Sequence, residues 1–360
     1  MLRSCQLADR LDDFDGVGKN DMGFVGPPSK KLRANGGYKG GFELRHALIV
    51  AGCLLLGSAA VSGVAAEDAY PARPITFIVP WGPGGGADQL ARIASKLMEQ
   101  ELKVSFPVIN VPGATGQTGL TKLVSGPSDG YSIEVMTGDT FALFTAVNAR
   151  FKLNQIVPLG IMIQQPSGFF VKIDSPWKNW ADVEAAARTT PLRVAVTGFG
   201  SPDEFTVNYF RNKGMKLEAV PFAEPGLRYS SVIGGQSDLV YEQAGDIRSF
   251  LDGKQIRPVI FFSDKVFEAY PDIPYSEKLG YDVKLPQFRV IIAKAGTDPA
   301  QVKILSEAIK KIGTAPEFAA YLKQQLGEPQ SFIPADQAIS YMNKWLEEAS
   351  ALSAATKAKP

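Results

Sequence analysis

Residues 79–92 read VPWGPGGGADQLAR: an apolar strand end, a cluster of glycines, then a helical pattern. Glycines serve where backbone turns sharply or approaches something closely. A helix that starts there presents free N–H groups and the positive end of its dipole, which together favour an anion. Three anions fit in principle: a phosphate, a dinucleotide pyrophosphate or a carboxylate. A phosphate-binding P-loop needs Lys and then Ser or Thr after its last glycine, and Ala87 and Asp88 stand there. Gly82 to Ala87 formally satisfies G-x-G-x-x-A, the fingerprint of a dinucleotide-binding oxidoreductase. That fold wants an acid at the end of the second strand to hold the ribose, and the sequence offers Asn110 and Val111. A carboxylate fits best. The loop has no cationic side chain, so backbone amides would hold the anion. Charge-assisted hydrogen bonds contribute about 1.5–3 kcal/mol each, and micromolar affinity needs about 8 kcal/mol. A few such bonds approach that figure, so an arginine clamp is not required. Asp88, near the helix start, reads as a capping residue that braces the loop; its loss should still weaken binding.

Other chemistries lack their side chains. The single histidine is His46 and the two cysteines are Cys5 and Cys53, so residues 67–360 contain neither type. That excludes a Ser-His-Asp triad, a thiolate nucleophile and a His/Cys metal site there. An enzyme built on this stretch would depend on carboxylates, with Asp139 or Glu242 as candidates for a hydrolase. No cofactor is called for. Residues 1–66 hold eight Lys and Arg and six Asp and Glu of the chain's 38 and 37, which leaves the remainder at a net charge of −1. Such a balance offers no electrostatic footing for nucleic acid or an anionic membrane.

Residues 47–66, ALIVAGCLLLGSAAVSGVAA, follow Arg45 and His46 and end in small residues. A charged start, an apolar middle and a small-residue exit describe a secretory signal, here residues 45–66, rather than a membrane span. Residues 1–44 are polar and glycine-rich without periodicity, and read as a non-native or disordered extension. The chain is therefore expected to be exported.

The elements that must position the loop alternate between strand and helix, which predicts an α/β fold with parallel strands. Strand-like runs include ITFIVP, FPVINVPG, GYSIEVMT, LRVAV, SDLVYEQ, IRPVIFF and FRVIIAK. Helical stripes recur at Leu90, Ile93, Ala94, Leu97 and Met98, at Leu305, Ala308, Ile309 and Ile312, at Phe318, Tyr321, Leu322 and Leu326, and at Ala338, Ile339, Met342, Trp345 and Leu346. These are read as core-facing. Several glycine turns fall between a strand and the following helix, where open α/β sheets bind ligands.

The ordered motifs carry a family resemblance across nearly all of residues 67–360. YPARPITFIVPWGPGGGADQLAR, INVPGATGQTG, PSDGYSIEV, AVPFAEPG, VIGGQSDLVYEQ, YPDIPYSEKLGY, AKAGTDPAQV and LGEPQSF occur in the expected sequence. The chain resembles the periplasmic substrate-binding proteins of tripartite tricarboxylate transporters, often called the Bug family. The resemblance implies a two-lobed, type II-like periplasmic-binding-protein fold, each lobe a sheet flanked by helices, with two crossovers at a hinge. Lobe 1 would comprise 67–168 plus 289–360 and lobe 2 would comprise 169–288. It implies a monomer that captures a small organic carboxylate and delivers it to integral-membrane permease subunits or a membrane sensor.

Carried over, the first loop would contribute Trp81, Pro83, Gly84, Gly85 and Gly86, and the second Gly113, Ala114, Thr115 and Gly116. Thr137, Gly138 and Thr140 would line the same lobe. Gly198, Phe199, Gly200 and Ser201 would face them, with Glu242 and Gln243 near. Trp81 stands where many relatives have Phe, and would either stack on a planar ligand or cover the cleft wall. Thr115 adds a hydroxyl where a glycine is usual. Ser201-x-x-Glu204 reads as a capping box, so Asp203 and Glu204 are expected to act locally. As acids near the cleft, they and Asp139 or Glu242 would oppose a second ligand carboxylate. That favours a monocarboxylate or a ligand with a cationic far end. Arg289 is a candidate partner for these acids, but a surface position is the preferred expectation.

Overall fold

A computed structural model describes residues 70–146 and 149–356. The expected signal segment and the extension before it lie outside the described residues.

Two mixed sheets organise the chain. The first has the order β11-β4-β10-β3-β1-β2, built from β1 (Thr76–Val79), β2 (Val108–Asn110), β3 (Ser132–Thr137), β4 (Ile156–Gln165), β10 (Gln287–Lys294) and β11 (Ile333–Pro334). The second has the order β7-β6-β8-β5-β9, built from β5 (Ser167–Lys172), β6 (Leu192–Val196), β7 (Leu217–Pro221), β8 (Leu239–Gln243) and β9 (Ile256–Phe262). The helices in chain order are α1 (Gly86–Leu102), α2 (Gln117–Ser125), α3 (Gly138–Ala142), α4 (Trp180–Thr189), α5 (Pro202–Asn212), α6 (Pro225–Ile233), α7 (Arg248–Asp252), α8 (Pro299–Gly313), α9 (Pro316–Gln324) and α10 (Ala335–Thr356).

The strands are not all parallel, which corrects the expectation from alternation. β1 pairs parallel with β2 and β3, and β6 with β7 and β8. β10 runs antiparallel between β3 and β4, and β5 runs antiparallel between β8 and β9. The reason is the crossover. Only Pro166 separates β4 from β5, so the chain passes straight from one sheet into the other without a helix to reverse it. The return passage enters the first sheet at Gln287.

Apolar residues cover both faces of each sheet. On one face of the first, Phe77, Ile133 and Val135 pack with Leu90, Ala94 and Met98 of α1 and Leu305 and Ile309 of α8. On the other, Met136 and Ile292 meet Phe141, Met342 and Trp345. The second sheet buries Phe169, Val194 and Tyr241 against Trp180 and Phe210. Most stripe residues read as core are buried; Ile339 faces solvent at 38% exposure, and Leu326 lies beyond the end of α9.

One core position breaks the pattern. Glu134 of β3 is 0% exposed between Ile78 and Ile292, and neither carboxylate oxygen has a partner. Burial pushes its carboxyl well above the usual carboxylate range. An acid raised this way binds a proton in the folded state that the unfolded chain has released. It therefore costs stability progressively as pH rises above its ordinary value near 4.5. Glu134→Met keeps the volume and removes the polar atoms. A gain of about 1–3 kcal/mol at pH 7 is expected, shrinking as pH falls toward 4.5. Thermal melts of both proteins across pH would check it; an equal or lower melting temperature for the variant at pH 7 would contradict it.

Candidate functional site

The carboxyl ends of β1 and β3 face those of β6 and β8, and the two lobes line a partly open cavity of about 30 Å³ between them. That is room for one or two waters. The first lobe supplies Trp81, Gly85, Gly86, Ala87, Thr137, Asp139, Gln287 and Arg289 to the wall. The second supplies Thr197, Asp203, Pro225, Arg228, Tyr241, Glu242, Gln243 and Asp246.

Glycine is required in the first loop for two different reasons. Gly84 is exposed with φ +83°, a left-handed conformation that side chains rarely adopt, and open space surrounds it. Gly85 and Gly86 carry no positive φ but sit where the other lobe closes in. A Cβ on Gly85 would meet Pro225 Cγ at 2.7 Å, and one on Gly86 would collide with the Asp246 carboxylate and the Arg289 guanidinium. Asp88 braces this loop: its Oδ2 accepts from Gly84 N–H at 3.0 Å and from Arg92, and its Oδ1 accepts from Asn110. The N-cap itself is Gly85. Trp81 is buried, lines the cavity, and donates its indole N–H to Thr137 Oγ1 at 3.2 Å.

Pro83 and Gly84 are exposed and lie outside the cavity wall. Gly113, Ala114, Thr115 and Gly116 lie outside the cavity wall, as do Gly138, Thr140 and Gly198 to Ser201. The second loop instead meets the opposite lobe. Thr115 Oγ1 donates to Phe199 O at 3.1 Å, and a Cβ on Gly198 would strike the Thr115 hydroxyl. Phe199 itself is 58% exposed. Thr137 caps α3 by accepting from Thr140 N–H. Ser201 caps α5 through Glu204 N–H, and Glu204 reaches back to Gly200 N–H at 2.6 Å, so Ser201 and Glu204 act locally as expected. Asp203 does not. It is 0% exposed, turns into the cavity wall, and accepts from Thr197 N–H at 2.7 Å and Thr197 Oγ1 at 2.8 Å.

Four acids and two arginines meet here, all buried: Asp139, Asp203, Glu242, Asp246, Arg228 and Arg289. Glu242 pairs with Arg228 within the second lobe. Asp246 pairs with Arg289 across the lobes. Arg289 is 2% exposed rather than on the surface, because its strand lies in the middle of the first sheet and points it into the cleft. It also donates to Gln165 Oε1 at 3.1 Å. With its amide nitrogen turned toward the acids, Gln243 donates to Glu242 Oε1 at 2.9 Å and accepts from Ser167 Oγ at 3.0 Å. Burial works against the charge on both arginines, but Glu242 beside Arg228 and Asp246 beside Arg289 outweigh it and hold both guanidinium groups charged. Burial pushes Asp246 up to about 6 although Arg289 pulls the other way. Burial also raises Asp139 well above the carboxylate range, and the neighbouring Asp203 and Glu242 add to it.

Residues 90–351 match the profile of the family described as the tripartite tricarboxylate transporter family receptor. The chain belongs to that receptor family. Among its relatives, a protein encoded in the tcbD–tcbE intergenic region of Pseudomonas sp. strain P51 is 28% identical over 71% of this chain and 79% of its own. The protein BugT of Bordetella pertussis is 24% identical over 74% of this chain and 86% of its own. Solved structures share the fold. MatC of Rhodopseudomonas palustris with bound malate superposes with a TM-score of 0.72 at 18% identity, covering 79% of this chain and 99% of that one. A second R. palustris protein, with adipate, gives 0.73 at 19%, covering 80% and 98%.

In this receptor the sequence reading missed Arg228, Asp246, Gln287 and the burial of Arg289. Arg289 left a signal: it interrupts the apolar run FRVIIA, and a charge inside a central strand has to be paired. Arg228, one turn into α6 after Glu224-Pro225-Gly226, left none of comparable strength.

Proposed function

We propose that the chain is an extracytoplasmic solute-binding protein that captures a small organic carboxylate between its lobes. It passes the ligand to membrane permease subunits or a membrane sensor, acts in the periplasm as a monomer, and performs no catalysis. The observation that carries this reading is the position of Arg289. It lies beside Gly86 at the start of α1, with a carboxylate from the opposite lobe, Asp246, already on it. Its Nε has no partner. A ligand carboxylate entering the opened cleft takes the place of Asp246 on the guanidinium. The first N–H groups of α1 have no partner within the helix and add to the same anion site. The amide-only capture expected from the loop thus becomes capture by amides and a buried arginine, and lobe closure follows about the two crossovers.

A thermal-shift screen against mono-, di- and tricarboxylates, aromatic acids and NAD tests this reading. A ligand that binds only the folded state raises the melting temperature by mass action. A carboxylate hit that is lost in Gly85→Leu is the expected result. A shift with NAD and with no carboxylate would overturn it in favour of the dinucleotide reading of Gly82–Ala87.

A further inference from the structure

Four buried acids surround the cavity against two arginines. Pairing Glu242 with Arg228 and Asp246 with Arg289 uses both cations. Asp139 and Asp203 are left over, one from each lobe; both line the cavity and lie close enough to interact, and the one cation that reaches them, Arg228, is already paired with Glu242. Each is otherwise well held. Asp139 Oδ2 accepts from Gln287 Nε2 at 2.5 Å, and Asp203 Oδ2 accepts from both Thr197 donors. On both residues Oδ1 is buried without a partner. Two carboxylates brought together in a dry site cannot both stay charged without a cation between them.

We propose that Asp139 and Asp203 form a subsite for a protonated nitrogen, so that the ligand of this receptor is a zwitterion carrying a carboxylate at one end and an ammonium group at the other. The inference rests on the carboxylate reading above and narrows it. The carboxylate end goes to Arg289 and the start of α1, and the nitrogen end closes the gap between the two aspartates. With the cleft empty, a proton shared by the pair serves instead; the bound ammonium group displaces it to solvent. The exchange leaves the charge of the six groups as it was: with the proton in place they sum to −1, and an ammonium group that replaces the proton restores that sum. A diacid would bring its second carboxylate against Asp139, Asp203 and Glu242. A metal ion is the weaker occupant, since no cluster of three or more metal-ligating side chains occurs among the described residues.

The test is calorimetry on the full chain with two matched sets: 4-aminobutyrate, butyrate, succinate and propylamine, and 6-aminohexanoate, hexanoate, adipate and pentylamine. At least one amino acid is expected to bind about tenfold or more tightly than its amine-free acid and its diacid, the difference one charge-assisted hydrogen bond makes. Repeating the titration in buffers of different ionisation enthalpy should show about one proton more released, or one fewer taken up, on binding the zwitterion than on binding the simple acid. In Asp203→Asn the preference for the zwitterion should collapse. If the simple acid or the diacid binds as tightly as the zwitterion, the subsite is overturned while carboxylate capture stands. If the amine alone matches the zwitterion, the subsite stands and carboxylate capture falls. If no member of either set binds, both fall.

Discussion

Arg289→Met is expected to abolish carboxylate binding and to lower stability by about 3–5 kcal/mol, a drop in melting temperature on the order of ten degrees. The stability loss arises because Asp246 is left buried with its cation gone, so that it either stays charged without a partner or takes up a proton. The binding loss is expected because, in the function proposed above, the same guanidinium receives the ligand carboxylate. The two effects separate in the double variant Arg289→Met, Asp246→Asn. Removing both charges should recover most of the melting temperature and none of the binding. Calorimetry with the best carboxylate of the screen decides it: a double variant that binds like wild type would reduce Arg289 to a structural role. The pair also fixes a pH dependence. Asp246, raised to about 6, gains a proton as pH falls from 7 toward 5.5 and lets go of Arg289. A ligand carboxylate with an ordinary pKa near 4–5 remains charged over that window. Affinity should therefore rise as pH falls, and Asp246→Asn should flatten the profile.

The sequence carried individual strands better than it carried the contacts between the two sheets. ITFIVP, GYSIEVMT and IRPVIFF each became the strand their apolar runs predict, because a run buried on both faces needs no partner to be recognised. β4 and β5 passed unremarked although IVPLGIMIQQPSGFFVK is as apolar. They form one nearly continuous crossing, and local pattern does not say that a chain leaves one sheet for another. The site failed for a related reason. Arg289 and Asp246 are 43 residues apart and stand on opposite lobes. Asp139 and Asp203 are likewise joined only by closure. Their partners are tertiary, and each read alone looks like a helix-start acid or a surface cation. Ser201 and Glu204, whose partners lie within four residues, behaved as their spacing says.

Gly86→Ala should separate folding from closure. Gly86 opens α1 without a positive φ, so alanine fits the backbone and restricts the unfolded chain, a gain of about 0.4–1 kcal/mol. The added methyl group has one conflict, with the Asp246 carboxylate and the Arg289 guanidinium, and Asp246 belongs to the other lobe. In an open molecule Asp246 leaves with its lobe, and the neighbour that remains, the Arg289 guanidinium, is the far end of a flexible side chain that can shift. The variant should therefore melt no lower than wild type, yet bind its ligand at least about tenfold more weakly, because about 1.4 kcal/mol or more of closing energy is lost. Small-angle scattering gives the second readout: saturating ligand should shrink wild type and leave Gly86→Ala extended. Gly84→Ala is the converse case. Its left-handed φ makes alanine cost about 1–2 kcal/mol of stability, and the open space around it leaves closure untouched. Ligand-induced compaction of Gly86→Ala equal to that of wild type would show that the lobes do not close over this glycine. The pairing of Asp246 with Arg289 would then not be the contact that ligand replaces.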